Sequence, residues 1–178
     1  MRLPETDDEY IACHEVGHAL IAILCGENLQ AIQFEKNSNI GLARALIQRA
    51  SDPQIRAKIA CGGIAAEIFL HLIHKPNVNP HALLRSLRKS GSSDFKVFQI
   101  CKPNLNFINF FVEAEEIAKK TFPNYRDQLS VAVDELIKKR MIYGYEFIYI
   151  IKHSKKMPFI QLILHKFKMS SKYTRFAI

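Results

Sequence analysis

The sequence predicts a mainly helical domain carrying one small β-hairpin. Apolar residues recur at helical spacing through long segments, notably FINFFVEAEEIAKKT (107–121) and YRDQLSVAVDELIKKRM (125–141). Only one stretch, from 29 to 47, alternates apolar and polar residues as strands do. Hydrophobic residues make up 48 % of the 178, which is enough for a core and too many for a disordered chain.

Each element follows from local signals. Thr6 and Glu9 have capping-box spacing, so a first helix is expected from there to about Cys25, with Gly26 as its stop. LQAIQFE (29–35) reads as a strand, KNSN turns the chain, and GLARALI (41–47) pairs back. Ser51 and Asp52 ahead of Pro53 mark the start of a second helix reaching about Ile73. The prolines and asparagines of 74–80 make a loop. A short helix over 81–89 is broken by KSGSSD, and another starts near Asp94 and ends before Pro103. After the helices at 107–121 and 125–141, Gly144 interrupts, and EFIYIIK (146–152) adds a turn or two.

Charge separates the chain into two parts. Of the formal +8, residues 151–178 carry seven Lys or Arg and no Asp or Glu, so residues 1–150 hold 18 basic and 17 acidic groups. A nearly neutral domain over 1–150 with a basic tail over 151–178 is expected. No nucleic-acid partner is expected, because such a protein shows its basic face on the fold itself. MPFIQLILHKFKM (157–169) mixes apolar residues with lysines and would allow weak contact with an anionic membrane surface. No apolar run reaches the roughly 18 residues of a membrane span, and the first ten residues lack a signal-peptide core. Cys13, Cys25, Cys61 and Cys101 form no CxxC pair and read as reduced core residues. A soluble, cytoplasmic protein is the expectation.

The chemistry concentrates in IACHEVGHALIA (11–22). His14 and His18 differ by four, so on a helix both imidazoles project from one face. Neutral imidazole is the commonest zinc ligand, and two from one turn can grip one ion. Glu15 lies off that line yet within reach of a water activated by the ion, whose pKa zinc lowers to about 7. This HExxH pattern is that of zinc hydrolases. Gly17 leaves room beside the helix. A catalytic zinc takes three protein ligands and keeps one position open. The third has to come from elsewhere, because Ile21 and Leu24 rule out the HExxHxxGxxH extension. Glu67, Asp94, His71, His74 and His81 are candidates that spacing does not separate.

HEVGHALIA resembles the HEAGHA segment of the FtsH-type membrane AAA proteases, in their zinc peptidase domain. GENLQAIQFEKNSNIGLARA is similar to that family's hairpin, and CGGIAAEIF (61–69) resembles its GGRAAEE helix. SGSSDF (90–95) resembles its TGASND segment, and YRDQLSVAVDELIKKRMIYGYEF resembles its C-terminal helix pair. The resemblance covers about residues 7 to 150 and implies a compact helical zinc-peptidase domain. It implies that His14, His18 and Asp94 bind Zn²⁺ and that Glu15 is the general base. Glu67 matches the first acidic residue of GGRAAEE, where it would orient a ligand imidazole; otherwise it is a surface charge. Asp94 would otherwise be a helix N-cap. Gly62 and Gly63 are expected to permit close helix packing.

The departures are also specific. Ile64 stands where the family has arginine, and KPNLNF after the Asp94 segment does not follow the family. Thirteen residues precede His14, and no GxxxxGK[ST] loop occurs, so neither an ATPase module nor membrane helices are expected. The expected function is a zinc-dependent metallopeptidase acting on peptides or unfolded protein, with no ATPase activity of its own. Its expected associations are a homo-oligomer or a separate ATPase partner. The alternative is a non-catalytic interaction module derived from a peptidase domain.

Overall fold

The structure is a computed structural model that describes residues 7–37, 40–48, 50–74 and 80–154. It is mainly helical, with seven α-helices and one three-stranded antiparallel sheet among those residues. No helix there is long and apolar enough to cross a membrane. The Thr6 cap, the tip of the hairpin, most of the 74–80 loop and the tail from residue 155 lie outside the described residues.

Helix α1 (Asp7–Leu24) and helix α2 (Pro53–His74) form the centre. In α1, Ala12, Cys13, Val16, Ala19, Leu20, Ile21 and Ala22 are all buried, so the helix is enclosed on almost every side of its middle turns. Helix α2 opens where Asp52 accepts a hydrogen bond from Gln54 N–H at 2.7 Å, with Pro53 next in line. The two helices cross at Gly17 and Gly62. A Cβ built on Gly17 would strike the Gly62 carbonyl oxygen, and one on Gly62 would lie 2.8 Å from the Gly17 carbonyl oxygen. Side chains at either position would push the backbones apart. Ile64, Ile68 and Leu70 continue the core along α2, each worth about 1.5–3 kcal/mol when fully buried.

Strands β1 (Leu29–Asn37) and β2 (Ile40–Ile47) form the expected hairpin, with Ile32 opposite Ala45 and Phe34 opposite Ala43. The sheet order is β2-β1-β3, which leaves β2 as an edge strand beside α1. Helices α3 (Pro80–Ser90) and α4 (Ser92–Cys101) are separated by Gly91 alone. Helix α5 (Phe107–Lys120) starts at an Asn106–Asn109 capping box and packs on α2. A single 3₁₀ turn (Phe122–Tyr125) leads into α6 (Arg126–Lys139).

The third strand, β3 (Met141–Tyr143), departs from expectation, since the sequence reads as helix through 141. Helix α6 stops two residues earlier because Arg140 takes a left-handed conformation, φ 67°. The Arg140 carbonyl then accepts from Phe34 N–H at 2.8 Å, and Ile142 pairs with Ile32. Gly144 opens the last helix, α7 (Gly144–His153), and the Leu29 carbonyl oxygen occupies the place where its Cβ would be. Helix α7 runs through position 151, where the tail was expected to begin.

Candidate metal centre

Helix α1 projects His14 and His18 toward α2, as their spacing of four requires. Helix α4 brings Asp94 to the same point from 76 residues away. Asp94 is the third residue of that helix and not its cap, a position held by Gly91 without a side-chain hydrogen bond. A cluster of phenylalanines fixes α4. Phe95, next to Asp94, meets Phe107 and Phe110 of α5 at 5.3 and 5.8 Å between ring centroids, and Phe98 meets Phe110 at 5.2 Å. Phe107 ends the KPNLNF stretch, and it anchors the helix that carries Asp94.

Among the described residues, His14, His18 and Asp94 are the one group of three able to hold a metal ion. The atoms that converge are His14 Nε2, His18 Nε2 and Asp94 Oδ2. The two nitrogens are 3.1 Å apart, and Oδ2 lies 2.9 Å from His14 and 3.4 Å from His18. Ligands held tetrahedrally at about 2.0–2.1 Å from one ion are separated by about 3.3 Å. The triangle thus has the size that a four-coordinate ion requires of three ligands.

Each imidazole is held from behind. His14 Nδ1 donates to Glu67 Oε1 at 2.6 Å, and Glu67 Oε2 accepts from Ser90 Oγ at 3.1 Å. His18 Nδ1 donates to the Ile59 carbonyl at 2.7 Å. A carbonyl oxygen only accepts, so Nδ1 of His18 carries the proton and Nε2 is the nitrogen free to coordinate. Such outer partners fix the tautomer and ring orientation of metal-ligating histidines. Glu67 is buried, with 7 % of its surface accessible, which departs from a surface charge.

Gly63 does more than pack. A Cβ there would lie 2.6 Å from His14 Cδ2 and closer still to Nε2, so glycine makes the space that the ring fills. Ile59, Gly63 and Glu67 recur every four residues along α2, as His14 and His18 do along α1. Ile59 contributes only its main-chain carbonyl, so no residue type marks that contact in the sequence.

Electrostatics follow from the geometry. Burial alone would lower the His14 pKa, but its hydrogen bonds to Asp94 and Glu67 outweigh burial and push it up to about 10. Burial works against His18 too, and the Asp94 charge overcomes it and raises that pKa. Burial would raise Asp94, yet His18 and His14 hold its carboxyl well below the usual range. Cys13 and Cys61 are free thiols whose burial pushes them up and keeps them unreactive.

Glu15 faces the sheet. Its Oε2 accepts from Ala45 N–H of β2 at 2.7 Å. It lies between two cavities. One, of 560 Å³, reaches His14, Tyr10, His71 and Glu67; the other, of 450 Å³, reaches His18, Asp94, Arg44 and Arg56. His71 is a half-buried residue of α2 whose ring lies 6.3 Å from that of Tyr10, outside the ligand triangle. His153 is exposed and stacks on Tyr149. The side chains of His74 and His81 lie outside the described residues.

Compared with known protein families, the chain matches none, and no curated protein is significantly similar to it.

Proposed function

We propose that this protein is a zinc-dependent metallopeptidase. The observation that carries the reading is the triangle of His14 Nε2, His18 Nε2 and Asp94 Oδ2, with Glu15 adjacent on the same helix. Two imidazoles and one carboxylate form a donor set suited to zinc and leave a coordination position open. Bound there, zinc acidifies a water and polarises the carbonyl of a peptide bond.

The chain's own groups do the rest. Ala45 N–H holds Oε2 of Glu15, so Oε1 is the oxygen available to the reacting water. Glu15 takes the proton of the attacking water and returns it to the nitrogen of the leaving amine. A general base has no use in a purely structural metal site, which favours catalysis over the interaction-module reading. Glu67 and the Ile59 carbonyl keep both imidazoles in the coordinating tautomer. The cavities on either side of Glu15 suit an extended chain crossing the centre, so peptides and unfolded segments are the substrates in this reading. Folded proteins would have to be opened first by a separate ATPase.

The test is Glu15→Gln. Glutamine keeps the size and cannot accept the proton, so the variant should bind zinc as the wild type does and lose hydrolysis of casein by at least about a hundredfold. Equal activity in both proteins removes Glu15 from the mechanism. Zinc-loaded wild type that cleaves nothing moves the assignment to an interaction module.

A further inference from the structure

We infer that the cleft selects peptides bearing a carboxylate on one side of the scissile bond, and that Arg44 and Arg56 recognise it. The inference rests on the peptidase reading for the direction of the cleft and on independent observations for its charge. The two cavities that flank Glu15 differ in lining. Among the described residues, the one beside His14 is lined by no lysine or arginine, whereas the one beside His18 is lined by two arginines. Arg44 is exposed on the edge strand β2, and Arg56 is half-buried in the first turns of α2. Neither guanidinium has a carboxylate partner among the described residues, although arginine offers five donors in a fork that matches a carboxylate.

The two carboxylates that line the same cavity among the described residues already have partners. Glu15 accepts from Ala45 N–H, and Asp94 faces His14 and His18. The two arginines therefore remain available to a ligand that enters from solvent. At 450 Å³ the cavity has room for a side chain such as glutamate or for the free end of a chain. Both sources present the same group. A planar, charge-assisted contact inside a cleft is stronger than the same pair in open water.

The experiment uses short alanine-rich peptides in which a single Glu is moved through the positions around the cleaved bond. Each is paired with its Gln isostere and is made with a free or an amidated C-terminus. Hydrolysis is measured with the zinc-loaded wild type, and binding is measured by calorimetry with the Glu15→Gln protein. Glu at one position on one side should raise kcat/KM and affinity about tenfold over Gln, equivalent to about 1.4 kcal/mol. If the chain end is the ligand, the same gain follows the free C-terminus and is lost on amidation. The preference should shrink in high salt and vanish in the Arg44→Gln/Arg56→Gln double variant. The Arg44→Glu/Arg56→Glu variant should prefer Lys at that position, a gain that misfolding cannot imitate. Equal binding of Glu and Gln peptides, with no effect of amidation, overturns the inference. Hydrolysis without charge preference overturns this inference alone. Arginine-dependent binding by a protein that hydrolyses nothing supports it and overturns the peptidase reading.

Discussion

The inner and outer parts of the cleft use charge in opposite ways. In the inner part His14, His18, Asp94 and Glu67 satisfy one another at 2.6 to 3.4 Å, in positions that water barely reaches. In the outer part Arg44 of β2 is exposed and Arg56 of α2 is half-buried, and neither has a carboxylate partner among the described residues. Burying a charge is costly unless another group compensates it, so the inner cluster has to be complete within the fold. A surface guanidinium keeps its water until a ligand displaces it. The inner groups thus converge where a metal ion could be held, and the outer ones stay hydrated and open to a ligand.

Changes within the inner cluster break this contrast most strongly. Asp94→Asn replaces an anionic ligand with a neutral amide, and zinc affinity should fall by at least about a hundredfold in a competition assay with a chelating dye. Asp94 lies inside α4 and caps nothing, but its charge is paired with His14 and His18 in a buried cluster, so the metal-free fold should also lose stability, by more than the roughly 1 kcal/mol of a helix-dipole contribution. Zinc affinity that survives this substitution would remove Asp94 from the ligand set.

Glu67→Gln sharpens the comparison, since it leaves all three ligands in place. Glutamine can still accept from His14 Nδ1, without the charge that makes the imidazole a better donor to the metal. Zinc affinity should fall about 10- to 100-fold, the usual cost of losing such a partner. An unchanged affinity would mean that Glu67 positions nothing.

A smaller effect is expected in the proton balance. With its pKa pushed up to about 10, His14 carries a proton on both nitrogens at pH 7 in the metal-free protein. Coordination requires neutral imidazole, so binding expels the Nε2 proton, and affinity should rise as pH increases toward 10. Calorimetry in two buffers of different ionisation enthalpy should register release of about one proton or more at pH 7. Identical heats in the two buffers would contradict the pairing of His14 with Asp94 and Glu67.

The contrast also separates what the sequence could tell from what it could not. His14, Glu15 and His18 are legible because one helix places them by spacing alone. Asp94 and Glu67 stand out only through the resemblance of short segments, since their approach depends on how α2, α4 and α5 cross. Phe107 belongs to a stretch that looks foreign in the sequence, yet its ring holds Phe95 and hence the Asp94 helix. The third strand is hidden for another reason. Helices commonly signal their end with glycine or asparagine in the left-handed position, and here Arg140 occupies it, so KKRM reads as uninterrupted helix. Arg44 and Arg56 carry no motif at all, and only the fold brings an edge of β2 and the start of α2 to one cavity.

Zinc stoichiometry tests the central claim most directly. The protein is purified without chelator, supplied with zinc, passed through a desalting column and assayed for metal by elemental analysis. The account predicts about one zinc ion per chain in the wild type and essentially none in His14→Ala or His18→Ala. Wild type that retains no metal, or alanine variants that retain as much as the wild type, would contradict a metal centre built on His14, His18 and Asp94.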